Sequence, residues 1–250
     1  MARAVGTRGR FFVAYLLLGA LVGTGIGMFI VLLERKGPTP PPPWSTWRPA
    51  SASVATQAQE IATHVGRAYR LPSGNPLARV VIGPPGRGQG NLRAIGVEKV
   101  DQPKNLGDFD LFDPKASVMY VLCGGGDNCK INEGKASVAR GTVLRREALE
   151  LALYTFEYSG PIEHVVVFFP PGPKQTTLKF AVFFHRNDLS SQLGRPLHVT
   201  LPQARPPLPG RISPTEKETV DRLTGPRLYR YRGVAKAGNF GDLVVLSPTA

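Results

Sequence analysis

The feature that most constrains this chain is an uncharged, predominantly apolar run from Phe11 to Leu33. An α-helix rises about 1.5 Å per residue, so about 20 apolar residues are needed to cross the roughly 30 Å hydrocarbon core of a bilayer. The run meets this length and contains no charged side chain. It therefore predicts a transmembrane helix over residues 11–33, preceded by a short tail over residues 1–10.

The residues that flank the run indicate an uncleaved anchor and its orientation. A secretory signal peptide has an apolar core of about 7–15 residues and ends at a small-residue cleavage site. This run is longer, and the charged residues Glu34, Arg35 and Lys36 follow it. Three arginines precede the run and two cations follow it. The positive-inside rule therefore predicts a single-pass protein of the cell membrane, with residues 1–10 cytoplasmic and the C-terminal domain extracytoplasmic.

Small residues recur within the predicted membrane helix. Gly19, Gly23 and Gly27 are spaced four residues apart, which places them near one face of a helix. Such a stripe lets two helix backbones approach closely in lipid. It is also consistent with the general abundance of glycine in membrane helices, so homodimerisation through these residues is one of two interpretations.

A proline-rich segment separates the apolar run from the remainder of the chain. The segment from Gly37 to Trp44 contains five prolines, which exclude a helix and are typical of an extended polyproline II stalk. We therefore assign a linker to residues 34–50 and a soluble domain to residues 51–250. The hydrophobic content of 42% and the charged content of 20% are those of a folded chain.

The two cysteines lie close together in the sequence. Cys123 and Cys129 enclose five residues, three of which are glycines that can adopt a tight backbone. An even pair at this spacing predicts a disulfide loop in an exported domain. Thiol redox pairs usually have the tighter C-x-x-C spacing, and no histidine shows zinc-site spacing with this pair. We assign neither a metal site nor a cofactor.

Apolar periodicity predicts an α+β domain with a central β-sheet and about three helices. Helices are predicted over residues 54–69 after a Ser53 cap, over residues 144–156, and from a capping box at residues 213–216 to residue 223. The runs 164–169 and 176–185 are expected to pair as a hairpin. Strands are predicted over residues 77–82, 92–100, 117–122, 164–169, 176–185, 228–232 and 242–246.

The chain is basic, with a formal net charge of +13. In a strand, residues 228–232 would place Tyr229 and Tyr231 on one face and Arg230 and Arg232 on the other. Together with Arg227, these arginines are candidates for binding a polyanion. The alternative, which ordinary half-buried strands favour, is that the tyrosines pack inward and the arginines are solvated. Outside the cell membrane the ligands would be anionic envelope polymers or lipid headgroups, whereas nucleic acid would require a cytosolic domain.

No catalytic motif stands out. The chain lacks G-x-S-x-G and H-E-x-x-H, so no residue is assigned a catalytic role and enzymatic activity stays open. The aspartates Asp108, Asp110 and Asp113 are interpreted as a surface turn, because a calcium loop needs a central glycine and a closing glutamate. The pair Glu147 and Glu150 is interpreted as part of a solvated, salt-bridged helix face.

Three segments of the chain resemble a single group of proteins. They are Val121–Cys129, Leu144–Tyr158 and Val165–Pro171. They are similar to segments of uncharacterised single-pass membrane proteins from high-GC actinobacteria. The resemblance extends over residues 115–190 and implies an exported bacterial domain, but no activity.

Anchor, linker and basic domain together predict a membrane-anchored, extracytoplasmic interaction or scaffold protein of the bacterial cell envelope. Its expected partners are the bilayer through residues 11–33, a second copy through the membrane helix, and an anionic polymer or lipid headgroup. One alternative is an envelope enzyme whose active-site residues are dispersed along the sequence. Another is a cytosolic-facing domain that binds nucleic acid.

Overall fold

The computed structural model describes residues 7–34, 43–85, 92–99, 105–236 and 242–249. The chain divides into two compact units, Met1–Pro42 and Pro43–Ala250. In the first unit, the predicted apolar helix is α1 (Thr7–Glu34). Its segment Phe12–Phe29 has a mean hydropathy of 2.0 and, among the described residues, is the one stretch long and apolar enough to span a membrane. Residues 1–6 of the predicted tail and 35–42 of the predicted linker lie outside the described residues.

The folded domain begins before residue 51, the predicted boundary. Trp44 and Trp47 pack edge-to-face on Tyr154, with ring centroids 5.4 and 5.5 Å away. The backbone N–H of Leu197 donates a hydrogen bond to the carbonyl of Trp44. Residues 43–50 are therefore part of the domain rather than of a linker, because the two indole rings gain from burial against its core.

A single eight-stranded sheet organises the second unit and confirms the predicted α+β class. In space the strand order is β1-β4-β5-β6-β7-β8-β2-β3, with the pairs β4–β5 and β2–β8 parallel and the other pairs antiparallel. The predicted hairpin is confirmed as the β5–β6 pair. The strands are β1 (Arg79–Ile82), β2 (Leu92–Glu98), β3 (Phe109–Phe112), β4 (Ser117–Cys123), β5 (His164–Phe168), β6 (Phe180–His185), β7 (Leu228–Lys236) and β8 (Asp242–Pro248).

One face of the sheet is covered by helices, and the other packs against itself. Val166 of β5 and Phe183 of β6 lie in one apolar core with Ile95 of β2 and Val244 of β8. Phe112, on the edge strand β3, contacts Phe183 with ring centroids 4.9 Å apart. Side chains from strands that are not neighbours in the sheet therefore contact each other. We infer that the sheet is curled, so that its two halves share one core.

Three helices longer than one turn cover the other face within the described part of the domain. Two of them, α2 and α6, both contact α3. The predicted caps form, since the side chains of Ser53 and Ser213 accept hydrogen bonds from backbone N–H groups three residues on. The helices of the domain are α2 (Val54–Ala68), α3 (Val138–Tyr158), α4 (Ser190–Leu193), α5 (Leu197–Thr200) and α6 (Pro214–Thr224).

The surface turn predicted around Asp108, Asp110 and Asp113 is wrong in its central part. Residues 109–112 form the edge strand β3, which pairs antiparallel with β2. Aspartate is a poor strand former, but the side chain of Asp110 is exposed and lies 3.1 Å from the Lys99 ammonium. Asp113 caps a short turn by accepting a hydrogen bond from the backbone N–H of Lys115 at 2.8 Å. The packing of the half-buried Phe109 and Phe112 outweighs the poor strand preference of Asp110.

A buried ion cluster joins the three long helices. Arg146 of α3 is 2% exposed, and its Nε donates to Glu216 Oε1 of α6 at 2.6 Å. Its Nη1 donates to Glu150 Oε2 at 2.9 Å and to the hydroxyl of Tyr69, which follows α2. Its Nη2 donates to the carbonyl of Gln203 at 2.9 Å. Each guanidinium nitrogen thus has a partner, which offsets the cost of removing the charge from water.

The cluster corrects two predictions about helix faces. The solvated face predicted for Glu147 and Glu150 is wrong, because Arg146 and Glu147 are buried and Glu150 is largely so. The predicted capping box is only half formed, since the carboxylate of Glu216 binds Arg146. The pattern of charged residues along a helix does not show which of its faces a neighbouring helix will cover. The burial of these residues could therefore not be predicted from the sequence.

Replacing Arg146 with methionine is expected to lower the free energy of unfolding by about 3–5 kcal/mol, because Glu216 would keep a buried and uncompensated charge. Denaturant unfolding of the full chain, followed by near-ultraviolet circular dichroism, measures the loss. The double variant Arg146→Met/Glu216→Gln should recover part of it. A single variant within about 1 kcal/mol of the parent would show that the cluster does not hold the helices together.

Candidate anion-binding groove

Strands β6 and β7 pair over only three residues. The paired positions are Phe180 with Arg230, Ala181 with Tyr229, and Val182 with Leu228. Beyond them β7 continues to Lys236 along β8, with a register shift next to Gly233, whose φ of 111° suits glycine. One further backbone hydrogen bond, from the N–H of Tyr231 to the carbonyl of Lys179 at 2.8 Å, joins β7 to the chain just before β6. A groove lies where this short pairing ends, and it is lined by residues 177–180 and 230–233.

This basic groove has a volume of about 700 Å³. It contains three cations, Lys179, Arg230 and Arg232. The side chains of Lys179 and Arg230 are exposed, and within the described part of the chain neither forms an ion pair. No carboxylate is among the described lining residues, which are Thr177, Leu178, Lys179, Phe180, Arg230, Tyr231, Arg232 and Gly233. The groove therefore carries concentrated positive charge. The hydrogen-bond donors of Lys179 and Arg230 are open to solvent.

The third cation and the two tyrosines are fixed by neighbouring strands. Arg232 donates from Nε to Ser247 Oγ at 2.8 Å and lies 3.9 Å from Glu98 Oε1, so its charge is partly balanced. Tyr231 packs against Phe168 with ring centroids 5.0 Å apart, and burial raises its pKa to about 12. The tyrosines point into the curled core as the alternation predicted, so the groove offers no exposed aromatic face from them for base stacking.

Arg227, the other predicted polyanion-binding residue, lies elsewhere and is already paired. Its Nε donates to Asp188 Oδ2 at 2.9 Å, and its Nη1 donates to the carbonyl of Leu223 at 3.0 Å. Burial alone would raise the pKa of Asp188, but the Arg227 hydrogen bond and charge outweigh it and lower that pKa. The structure thus groups two of the three predicted arginines. Sequence reasoning missed Lys179, because nothing in the sequence shows that β6 lies beside β7.

The cysteine loop borders a second groove that adjoins the basic one. Cys123 and Cys129 form a disulfide, with their Cα atoms 4.1 Å apart. A side chain at Gly124 would come within 2.7 Å of backbone atoms of Ile131 and Lys130, so this position requires glycine. The groove has a volume of about 430 Å³ and shares Thr177, Leu178 and Tyr231 with the basic groove.

The glycines of the predicted membrane stripe lie on α1. No described atom comes within 4 Å of the position that a Cβ would take at Gly19, Gly23 or Gly27, apart from the helix's own neighbouring backbone. This side of the helix is therefore sterically open to a second helix. Association through it stays a prediction.

A pair of histidines on β5 and β6 is a competing candidate for a functional site. His164 and His185 lie opposite each other with ring centroids 5.1 Å apart, and burial together with the charge of His185 lowers the pKa of His164. The hydroxyl of Ser117 is 3.5 Å from His164 Nδ1 but donates its proton to the carbonyl of Asp113 at 2.7 Å. This geometry does not activate Ser117 as a nucleophile. Within the described residues, no cluster of three histidine, cysteine or acidic side chains could hold a metal ion.

Glu147 is the other chemically unusual group. It is fully buried, and neither carboxylate oxygen has a hydrogen-bond partner in the described part of the chain. Burial, followed by the charge of Glu150, raises its pKa well above the ordinary value. A protonated buried acid can serve as a general acid, but the residues lining the grooves described above do not include Glu147. Because Glu147 is buried away from these grooves, we interpret it as a residue of the helix core and not as a catalytic group.

Comparison with protein-family models, curated proteins and solved structures gives no match to this chain. The resemblance to actinobacterial membrane proteins therefore stays a prediction.

The stability of the protein should depend on pH through Glu147. Because its pKa is higher in the folded than in the unfolded state, the folded state binds more protons, and its contribution to the free energy of unfolding falls as pH rises above about 4.5. Glu147→Gln should remove this contribution, so that the variant gains relative to the parent between about pH 5 and pH 8. Urea unfolding at both pH values measures the difference. Parallel pH profiles for the two proteins would contradict it.

Proposed function

We propose that this protein is a membrane-anchored, extracytoplasmic interaction protein of the bacterial cell envelope that binds an anionic envelope component in its basic groove. The observation that carries the proposal is the position of Lys179 and Arg230. Both residues line one groove, both are exposed, and neither has a carboxylate partner in the described part of the chain. Cations gathered in a groove without carboxylates raise the local concentration of anions.

Arg230 differs in its hydrogen-bond partners from the arginines that hold the fold together. The structural arginines are held by protein groups: Arg146 by the buried cluster, and Arg186 by the backbone carbonyls of Phe156, Ser159 and Ile162. Arg230 has no such contacts in the described residues, although it lies directly beside β6. Its guanidinium is free to form a bidentate contact with a phosphate or carboxylate.

Two features support the extracytoplasmic placement. The apolar helix α1 has the length and hydropathy of a membrane anchor or a signal sequence, and the charged residues that follow it favour an anchor. The Cys123–Cys129 disulfide is typical of an oxidising compartment outside the cytoplasm. In that compartment the available polyanions are envelope polymers and lipid headgroups.

The groove predicts a salt-sensitive interaction with polyanions. The full chain, reconstituted in nanodiscs of purely zwitterionic lipid, should bind fluorescently labelled inorganic polyphosphate, with affinity falling as salt rises. The double variant Lys179→Gln/Arg230→Gln should bind at least about tenfold more weakly and show a flatter dependence on salt. Fluorescence anisotropy across a salt series gives both quantities.

The matched control is the double variant Arg211→Gln/Arg222→Gln, which removes two exposed arginines that do not line the basic groove. If this control weakens binding as much as Lys179→Gln/Arg230→Gln, the interaction depends on total charge rather than on the groove. Tighter, salt-sensitive binding of single-stranded nucleic acid than of polyphosphate would favour the nucleic-acid alternative.

The proposed topology can be tested through the cysteines. In intact bacterial cells that produce the chain, a membrane-impermeant maleimide should label Cys123 and Cys129 only after reduction of the disulfide. This result follows from an oxidised pair on the outer side of the membrane. Labelling that needs permeabilised cells but no reduction would place the domain in the cytosol. Permeabilised and denatured samples provide the reference for complete labelling.

A further inference from the structure

A cleft with a mostly apolar lining lies beside the basic groove. It has a volume of about 450 Å³, within the roughly 300–1,000 Å³ typical of sites for small ligands. Its walls are the first turns of α3 and the segment that follows β5, and its floor includes the starts of β6 and β7. The apolar side chains that line it are Ile131, Val138, Leu144, Phe169, Phe180 and Leu228.

The cleft is open, and α3 leaves space in it. Val138 is 84% exposed and Phe180 is 41% exposed, which is a large apolar surface to leave in water. At Gly141, also in the lining, a Cβ would meet no atom within 4 Å. Glycine is unfavourable inside a helix, so an alanine or larger residue here would stabilise α3 and also fill the cleft.

The cleft and the basic groove share Phe180 as a lining residue. Phe180 lies directly opposite Arg230 in the sheet, and Leu228 is two residues before Arg230 on the same face of β7. The apolar floor therefore ends at the guanidinium of Arg230, which has no ion-pair partner among the residues that the structure describes. The two arginines of the α3 wall already have partners: Arg145 is bound to Asp221 and Thr224, and Arg140 donates to the carbonyls of Glu133 and Leu77. A complementary ligand is apolar along its length and anionic at one end.

We propose that the cleft binds the hydrocarbon chain of an anionic lipid whose headgroup lies on Lys179 and Arg230. This inference rests on the proposed function and specifies its ligand, since it makes the anionic envelope component an amphiphile. Burial of the chain against the exposed apolar side chains supplies affinity, and the cations select the charge of the headgroup.

Photo-cross-linking tests the proposal directly. Lysophosphatidylglycerol with a diazirine near the end of its acyl chain is added to the full chain in nanodiscs of zwitterionic lipid, and peptide mass spectrometry locates the cross-links. They are expected within residues 131–145 and 169–180. Lysophosphatidylcholine with the same chain should cross-link there at least about tenfold less, because its headgroup carries no net charge. Equal cross-linking by the two lipids would overturn the proposal.

The variant Gly141→Leu fills the cleft and should abolish these cross-links, whereas Thr215→Leu, which adds the same side chain to the exposed start of α6, should not. Circular dichroism establishes that both variants are folded. The milder variant Val138→Gln removes an exposed apolar wall and should also reduce cross-linking if Gly141→Leu fails to fold. Unchanged cross-linking in a folded cleft variant would overturn the proposal.

Polyphosphate binding separates this inference from the proposed function. Polyphosphate that binds normally to Gly141→Leu, while the lipid cross-links disappear, supports both proposals. A parent chain that binds polyphosphate through Lys179 and Arg230 but gives no lipid cross-link in the cleft overturns the lipid assignment alone. A parent chain that binds neither probe overturns both.

Discussion

The guanidinium of Arg146 is the interaction on which the arrangement of the helices depends. It is buried where α2, α3 and α6 meet, and it bonds to the side chains of Tyr69, Glu150 and Glu216. Burial would lower the pKa of Arg146, but the charges of Tyr69, Glu150 and Glu216 outweigh it and raise that pKa. The side chain therefore stays charged, and each acceptor that binds it must stay in place. If apolar residues replaced this ion cluster, they would have to restore contacts among all three helices at the same time.

The same helix contributes to the candidate site. Arg145, next to Arg146, is bound to Asp221 of α6 and lines the apolar cleft, so the ion pairs that fix α3 also fix one wall of the cleft. The other surfaces come from the sheet, where β6 ends its pairing with β7 at Phe180 and Arg230. The cations buried between the helices are thus satisfied by protein groups, whereas Lys179 and Arg230 face solvent.

Local sequence patterns were enough to predict most helices and strands, but not which of them pair or pack together. The apolar runs of β5 and β6, the cap at Ser53 and the cysteine loop depend on residues close together in the chain. Each is found as predicted, although β6 begins at Phe180 and not at residue 176. Strand β3 was missed because its partner, β2, and its aromatic contacts on β6 are set by the curl of the sheet. Lys179 was missed for the same reason, since it reaches Arg230 only through the β6–β7 pairing.

Chemical-shift mapping shows whether an anion binds in the basic groove, where the pairing of β6 with β7 ends. Nuclear magnetic resonance spectra of the isotopically labelled full chain in zwitterionic nanodiscs would be recorded while short-chain polyphosphate is added. The account predicts that the largest shifts belong to Lys179, Arg230 and Arg232 and to the backbone beside them, with little change at Arg222. Shifts spread evenly over exposed basic residues, or centred on another part of the domain, would contradict it.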